Sequence, residues 1–144
     1  MELALREARA AAERGEVPVG AVIVDGETGR LLATAGNRTE ERADPTAHAE
    51  MLAIQGATEI QGAPRLEGCD LYVTLEPCAM CAAAISLARI RRLTFAAYDP
   101  KMGGVEHGPK FFQQPTCHHR PEVIGGMGET EAAALLKDFF KGKR

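Results

Sequence analysis

The sequence lacks three features that are typical of membrane, secreted or strongly basic proteins. No apolar run approaches the roughly 18 residues that a membrane-spanning helix needs. Residues 1–14 are rich in Glu, Arg and Ala, and they lack the apolar stretch and cleavage site of a secretory signal. The formal net charge is −3, so any contact with nucleic acid would depend on local patches of charge. We therefore expect a cytoplasmic protein that does not associate with a membrane.

Length and composition fit one folded domain. A chain of 144 residues has the ordinary size of a single domain. Its hydrophobic fraction of 45% is enough for a packed core, and its charged fraction of 26% is enough for a hydrated surface. The sequence contains no internal repeat, linker or low-complexity segment. We therefore expect a single domain over residues 1–144.

The spacing of apolar residues predicts strands that alternate with helices. Helices are predicted over residues 2–14, 46–57, 78–88 and 129–140. Strands are predicted over residues 17–24, 31–35, 71–75, 93–97 and 122–124. This alternation indicates an α/β domain in which helices cover both faces of a mixed sheet.

The cysteines favour a metal site over disulfides. Without a secretory segment the thiols are expected to stay reduced, and a close cysteine pair in an intracellular enzyme is typical of a metal clamp or a redox pair. Cys78 and Cys81 form such a pair within Pro77-Cys78-Ala79-Met80-Cys81. A second short motif, His48-Ala49-Glu50, adds a nitrogen ligand and a carboxylate.

His48, Cys78 and Cys81 supply the nitrogen and sulfur ligands that zinc prefers, and three protein ligands leave one position for water. The two cysteines are three residues apart at a predicted helix start, so they share a face, and the helix N-terminus favours their thiolates. His48 and Glu50 are only two residues apart. They converge only if both lie in the open first turn of a helix.

This set of residues fits a hydrolytic zinc enzyme, because zinc lowers the pKa of a bound water to about 7. A carboxylate that is near this water but not on the metal can relay protons to a leaving amine, and Glu50 is the candidate. A structural zinc site is the alternative, and it would require Cys69 or Cys117 as a fourth ligand. A second cluster at Cys117-His118-His119 is disfavoured because adjacent side chains point in different directions.

The two motifs match the signature of the zinc nucleobase deaminases, H-x-E followed by P-C-x-x-C. Nearly the whole chain resembles the bacterial tRNA-specific adenosine deaminases, which belong to the zinc-dependent cytidine and deoxycytidylate deaminase superfamily. The resemblance is carried by residues 17–22, 37–38, 44–50, 74–81, 89–90, 99 and 135–140.

The resemblance implies an enzyme that converts the wobble adenosine of a tRNA anticodon to inosine. It also implies a cytoplasmic homodimer with one Zn²⁺ per subunit, and a three-layer α/β/α fold around a mixed five-stranded sheet. His48, Cys78 and Cys81 would bind the zinc, and Glu50 would carry protons.

Three further residues would contact the substrate if the resemblance holds. Asn37 would hydrogen-bond the adenine, because an amide both donates and accepts. Val19 would line the pocket wall, and Asp99 would contact the sugar-phosphate backbone near the target.

Several positions depart from the family pattern, namely Gly36, Ala83, Tyr98 and residues 105–120. Phosphates are expected to meet two basic clusters, Arg89, Arg91 and Arg92 in the first and Lys141, Lys143 and Arg144 in the second. The candidates for stacking on neighbouring bases are Tyr98, Phe111, Phe112 and the histidines.

Two other functions remain open on the sequence alone. A deaminase of free guanine, cytosine or a nucleoside would share the same zinc chemistry. A non-catalytic binding module stabilised by zinc would instead show a closed site with four protein ligands.

Overall fold

The computed structural model describes residues 1–143, so Arg144 of the second basic cluster lies outside the described residues. The helices of this part of the chain are α1 (Glu2–Glu13), α2 (Ala49–Gln61), α3 (Ala79–Leu87) and α4 (Glu129–Lys141). The strands are β1 (Gly20–Asp25), β2 (Leu31–Gly36), β3 (Cys69–Leu75), β4 (Arg92–Ala97) and β5 (Glu122–Gly125). A single 3₁₀ turn spans Phe111–Gln113. Among the described helices, none combines the length and the apolar character needed to span a bilayer.

The described strands form one mixed sheet of five strands in the order β2-β1-β3-β4-β5. Strand β1 is antiparallel to both β2 and β3, whereas β3, β4 and β5 run parallel to one another. The end of β2, the start of β1 and the ends of β3 and β4 consequently lie at the same edge of the sheet. In open α/β sheets, ligands bind outside the carboxyl ends of the parallel strands.

Helices cover both faces of this sheet, as the sequence predicts. On one face α2 and α3 bury apolar residues such as Ala53 and Ile85 in the main core, together with Leu71 and Phe95 of the sheet. On the other face Leu5 of α1 packs in a second cluster with residues of β4 and α4. The α/β/α layering is therefore confirmed.

Helix α1 approaches the sheet so closely that only glycine fits beneath it. A Cβ atom on Gly20 would lie 2.0 Å from the carbonyl oxygen of Ala4. This close packing holds the first residues of β1 at the edge of the sheet described above.

Three of the predicted boundaries that differ from the structure lie at this edge. Strand β1 begins at Gly20 because Pro18 has no N–H for the ladder and Val19 turns back to donate to the Val17 carbonyl at 2.8 Å. Helix α2 begins at Ala49 because Thr46 instead donates to the Asp44 carboxylate. Helix α3 begins at Ala79, one residue later than predicted.

Candidate active site

Two helix N-termini meet at this edge of the sheet, and the predicted metal-binding residues lie on them. His48 is the N-cap of α2 and Cys78 is the N-cap of α3, and both have extended backbone conformations. Cys81 lies in the first turn of α3 and Glu50 in the first turn of α2. The placement that the sequence required for His48 and Glu50, an open first turn, is therefore what the structure has.

The three predicted ligands lie at the spacing that a tetrahedral zinc requires. The Nδ1 atom of His48 is 3.7 Å from Sγ of Cys78 and 3.5 Å from Sγ of Cys81. Tetrahedral zinc with ordinary bond lengths would separate such nitrogen and sulfur atoms by roughly 3.6 Å. All three ligand atoms lie within 4.8 Å of one another. The donor set and its geometry therefore fit zinc.

Neither remaining cysteine supplies a fourth ligand. Cys69 is buried at the start of β3, where its Sγ points toward the Glu67 carbonyl at 3.9 Å. Cys117 contacts Oγ of Ser86 at 3.5 Å, near the far end of α3. Within residues 1–143 the group that could hold a metal ion consists of His48, Cys78 and Cys81. The four-ligand site of the structural alternative is therefore not formed by the described residues.

The Cys117-His118-His119 segment packs against α3 and does not form a second metal cluster with other described residues. The Nε2 atom of His119 lies 2.6 Å from the Ile90 carbonyl, and the His119 carbonyl accepts a hydrogen bond from Ser86 at 2.7 Å. These contacts fasten the segment to the last turn of α3 and to Ile90, which follows the helix. The segment is therefore accounted for by packing.

Glu50, the carboxylate that the sequence predicts to relay protons, is only 4% exposed. Burial raises the pKa of its carboxyl group to about 7, and the neighbouring His48 opposes this rise only in part. A buried carboxylate with a raised pKa beside a metal-binding group is a common feature of sites that transfer protons.

The two cysteines and the histidine shift one another's pKa values. A hydrogen bond from the Cys81 thiol, aided by His48, lowers the pKa of Cys78 to about 4. The same contact with Cys78, together with burial, raises the pKa of Cys81. The hydrogen bond with Cys78 raises the pKa of His48. One thiolate is thus stabilised within the group.

A cleft of about 250 Å³ opens onto this group of residues. The predicted substrate-binding residues Asn37, Val19 and Asp99 all line it, beside Glu50 and His48. Five further lining residues are absent from the sequence prediction; they are Val17, Thr39, Leu75, Glu76 and Met102. The sequence pattern places Val17 and Leu75 in strands, which gives no sign that they line a cleft. The segment around Met102 is irregular, so no periodicity indicates which of its residues line the cleft.

Asn37 is held in place through its backbone. Its N–H donates to the Val19 carbonyl at 3.1 Å, and its carbonyl accepts a hydrogen bond from the Arg14 guanidinium at 3.1 Å. The residue is 7% exposed. Asn37 therefore lines the cleft from a fixed position directly after β2.

An apolar groove continues from the cleft toward α4. Its volume is about 680 Å³, and it shares Val17, Leu75, Asp99 and Met102 with the cleft. Beyond them, its walls carry Tyr98, Lys101, Leu136, Phe140 and Lys143. Tyr98 and Lys143 of the second basic cluster therefore lie in the groove, and their contacts with RNA stay predictions.

The first basic cluster lies far from the cleft. Arg91 donates two hydrogen bonds to the Asp70 carboxylate, at 2.9 and 2.7 Å, and Arg92 pairs with Glu122 at 2.9 Å. These pairs flank the start of β4, whereas Asp99 follows its end, about 20 Å away along the strand. Arg91 and Arg92 therefore lie at the edge of the sheet opposite to the cleft, and their contact with phosphates stays a prediction.

The aromatic pair after residue 110 lines neither the cleft nor the groove. Phe112 is buried in the main core, and Phe111 packs partly buried against the same core. The 3₁₀ turn that carries them contacts α3. Of the aromatic residues proposed for stacking, Tyr98 lies in the groove and these two do not.

Comparison with known proteins agrees with this site. Residues 1–97 match the family model described as the cytidine and deoxycytidylate deaminase zinc-binding region. The chain is 61% identical over 144 residues to a protein of Agrobacterium fabrum named tRNA-specific adenosine deaminase, covering all of this chain and 93% of that protein.

Solved structures show the same fold. A structure from a study of A-to-I editing by tRNA:A34 deaminases is 62% identical, with a TM-score of 0.92, and the match covers 94% of this chain and 97% of that one. A guanine deaminase of Bacillus subtilis is 30% identical, with a TM-score of 0.66, and covers 99% and 90% of the two chains. This chain belongs to the zinc-binding cytidine and deoxycytidylate deaminase family.

Proposed function

We propose that this chain is a hydrolase that deaminates adenosine to inosine at the wobble position of a tRNA anticodon. The observation that carries the proposal is the convergence of His48, Cys78 and Cys81 with the buried carboxylate of Glu50 at the base of one cleft. The relatives named tRNA-specific adenosine deaminase match over the full length of the chain.

His48, through Nδ1, and the thiolates of Cys78 and Cys81 would hold one zinc ion per subunit. When bound there, zinc would lower the pKa of a water molecule and supply hydroxide near neutral pH. The N-termini of α2 and α3 favour the negative charge of the ligands. We also propose that residues 1–144 form a single domain.

Glu50 would move the protons of the reaction. Its carboxylate would take a proton from the attacking water and deliver protons to the ring nitrogen and to the departing amino group. Because Glu50 is buried, bulk water is kept from competing for these protons. The net reaction exchanges the amino group of adenine for an oxygen from water, and ammonia leaves.

Asn37, Val19 and Asp99 would fix the substrate. The amide of Asn37 offers a donor and an acceptor to the edge of the adenine, and Val19 forms an apolar wall beside it. Asp99 lines both the cleft and the groove, and there it would contact the sugar-phosphate backbone. The wobble base is unpaired in an anticodon loop, which lowers the cost of moving it into the cleft.

We further propose that the protein is a homodimer that uses the outer face of α3. Met80, Ala83, Ala84 and Leu87 follow helical spacing, and none is fully buried; Leu87 is 75% exposed. Helix α3 contains no charged residue, so this exposed stripe is apolar throughout. A second copy of the chain would cover it.

The first prediction concerns reaction and substrate together. We expect the purified protein to form inosine in an anticodon stem-loop that carries adenosine at the wobble position, measured by ammonia release and nucleoside analysis. Glu50→Ala should lower turnover by about 10²-fold or more, because the proton carrier is lost. Glu59→Ala, an exposed position on the same helix, is the matched control and should retain activity.

Two outcomes would contradict this prediction. Activity on free guanine, cytosine or nucleosides with none on the stem-loop would favour the alternative substrate class. Full activity of the Glu50→Ala protein would remove Glu50 from the proposed role.

The second prediction concerns the metal. Metal analysis should find about one zinc per chain, and Cys81→Ser should lose most of it because a hydroxyl is a poor zinc ligand. Cys117→Ser should keep the metal, since that thiol contacts Ser86 and not the site. Equal zinc content in both variants would contradict the proposed ligand set.

The third prediction concerns RNA binding. In an inactive Glu50→Ala background, removing the charges of Lys101 and Lys143 should weaken stem-loop binding and reduce the salt dependence of log Kd by roughly 1.5. Arg92→Ala, at the opposite edge of the sheet, should change neither quantity. An effect of Arg92→Ala equal to that of the lysine changes would place the RNA elsewhere.

The fourth prediction concerns assembly. Leu87→Asp should shift the sedimentation coefficient from dimer to monomer, because a buried carboxylate at the interface has no partner. Leu3→Asp adds the same charge on α1, on the other face of the sheet, and should leave the dimer intact. A monomeric wild-type protein would refute this proposal.

A further inference from the structure

A second carboxylate, that of Glu76, is buried beside the candidate site. It follows β3 directly, two residues before Cys78, and it lines the cleft. Its side chain has no exposed surface. Glu76 has no part in metal binding or in proton transfer in the proposed reaction, so another reason is needed for a charge in this position.

The carboxylate of Glu76 is surrounded by hydrogen-bond donors from a single loop. Oε1 accepts from the Asp99 N–H at 3.0 Å and lies 2.8 Å from Nδ1 of His107. Oε2 accepts from the N–H groups of Val105, Glu106 and His107, at 3.2, 3.0 and 3.1 Å. Because a carboxylate only accepts, Nδ1 of His107 is the donor in its contact.

The loop is wrapped tightly around this anion. We call residues 99–107 the cleft loop. A Cβ atom on Gly103 would lie 2.3 Å from Oε2 of Glu76, and one on Gly104 would lie 2.6 Å from the Ala79 nitrogen. The Gly104 N–H donates to the Pro77 carbonyl at 2.8 Å. The cleft loop is thereby fastened to the turn that leads into α3.

The hydrogen bonds outweigh the cost of burial. Burial alone would raise the pKa of Glu76, but the donors of Asp99, His107, Glu106 and Val105 hold the pKa of its carboxyl below the usual value. Three successive N–H groups that point at one oxygen form an anion-binding nest. A neutral amide could not replace the carboxylate, because its NH₂ group would face N–H donors.

The cleft loop forms one wall of the substrate cleft. Asp99 and Met102 line both the cleft and the groove, and Lys101 lines the groove. The position of this wall relative to Glu50 therefore depends on the contacts of Glu76.

We propose that Glu76 is a positioning residue that fixes the cleft loop for binding of the RNA substrate, with His107 as its side-chain brace. This inference rests on the proposed function. It assigns Glu76 an effect on substrate binding, which is separate from the proton transfer assigned to Glu50. The substrate whose binding it governs is the wobble nucleotide with its adjoining backbone.

The test compares kcat and KM of variants on the anticodon stem-loop. Glu76→Gln should raise KM by about tenfold, since it leaves backbone donors of the cleft loop without an acceptor, while kcat changes by less than about threefold. Zinc content should stay the same. Amide hydrogen exchange at residues 105–107 should become faster than in the wild type. Glu122→Gln, on the far edge of the sheet, is the matched control.

Variants of His107 provide a second test of the contact between Glu76 and the cleft loop if Glu76→Gln does not fold. His107 is about one-third exposed and makes one side-chain contact with Glu76, so it tolerates change. His107→Leu should raise KM by about threefold to fivefold. His107→Asn carries an N–H donor close to the position of Nδ1 and should restore most of the wild-type KM.

Three results would overturn the inference. The first is an unchanged KM in Glu76→Gln, and the second is a decrease in kcat of Glu76→Gln without an increase in its KM. The third is equal KM values for His107→Leu and His107→Asn. A wild-type protein with no activity on the stem-loop would instead contradict the proposed function. In that case the amide exchange of residues 105–107 would still decide whether Glu76 fixes the loop.

Discussion

The meeting of two helix N-termini at one edge of the sheet is the constraint on which the rest of the site depends. His48 and Cys78 occupy the N-cap positions of α2 and α3, and neither makes a side-chain capping hydrogen bond. Capping residues such as Ser or Asp would stabilise each helix by about 1 kcal/mol. The chain lacks this stabilisation and has the proposed metal ligands at these positions. In return, the positive ends of two helix dipoles favour the thiolates.

Two buried carboxylates at the cleft have pKa values that are shifted in opposite directions, because different numbers of hydrogen-bond donors surround them. Glu50 and Glu76 are both almost completely buried, and burial opposes the ionisation of each. Backbone and histidine donors surround Glu76 and lower its pKa. Glu50 has no comparable set of donors, and its pKa rises to about 7. One carboxylate is thus suited to hold a loop, and the other is suited to exchange a proton.

Glu16 makes contacts similar to those of Glu76 with a second loop beside the cleft. It is 1% exposed, and its carboxylate accepts hydrogen bonds from the N–H groups of Glu40 and Glu41 at 3.1 and 2.8 Å. These residues belong to the turn that follows Asn37. Thr39 of this turn lines the cleft, so two irregular loops beside the cleft are each held by a buried glutamate. Such loops can be specific in shape without belonging to a helix or strand.

The sequence by itself determined the features that depend on residues close together along the chain. A spacing of three residues places Cys78 and Cys81 on one helix face, and the alternation of strands and helices gave the layers of the fold. The tertiary structure decided the rest. Strand direction places the pairs of Arg91 and Arg92 at the edge away from the cleft, and packing buries Phe112 in the core. The roles of such residues depend on partners 20 or more positions away, whereas periodicity reports only the residues within a turn or two.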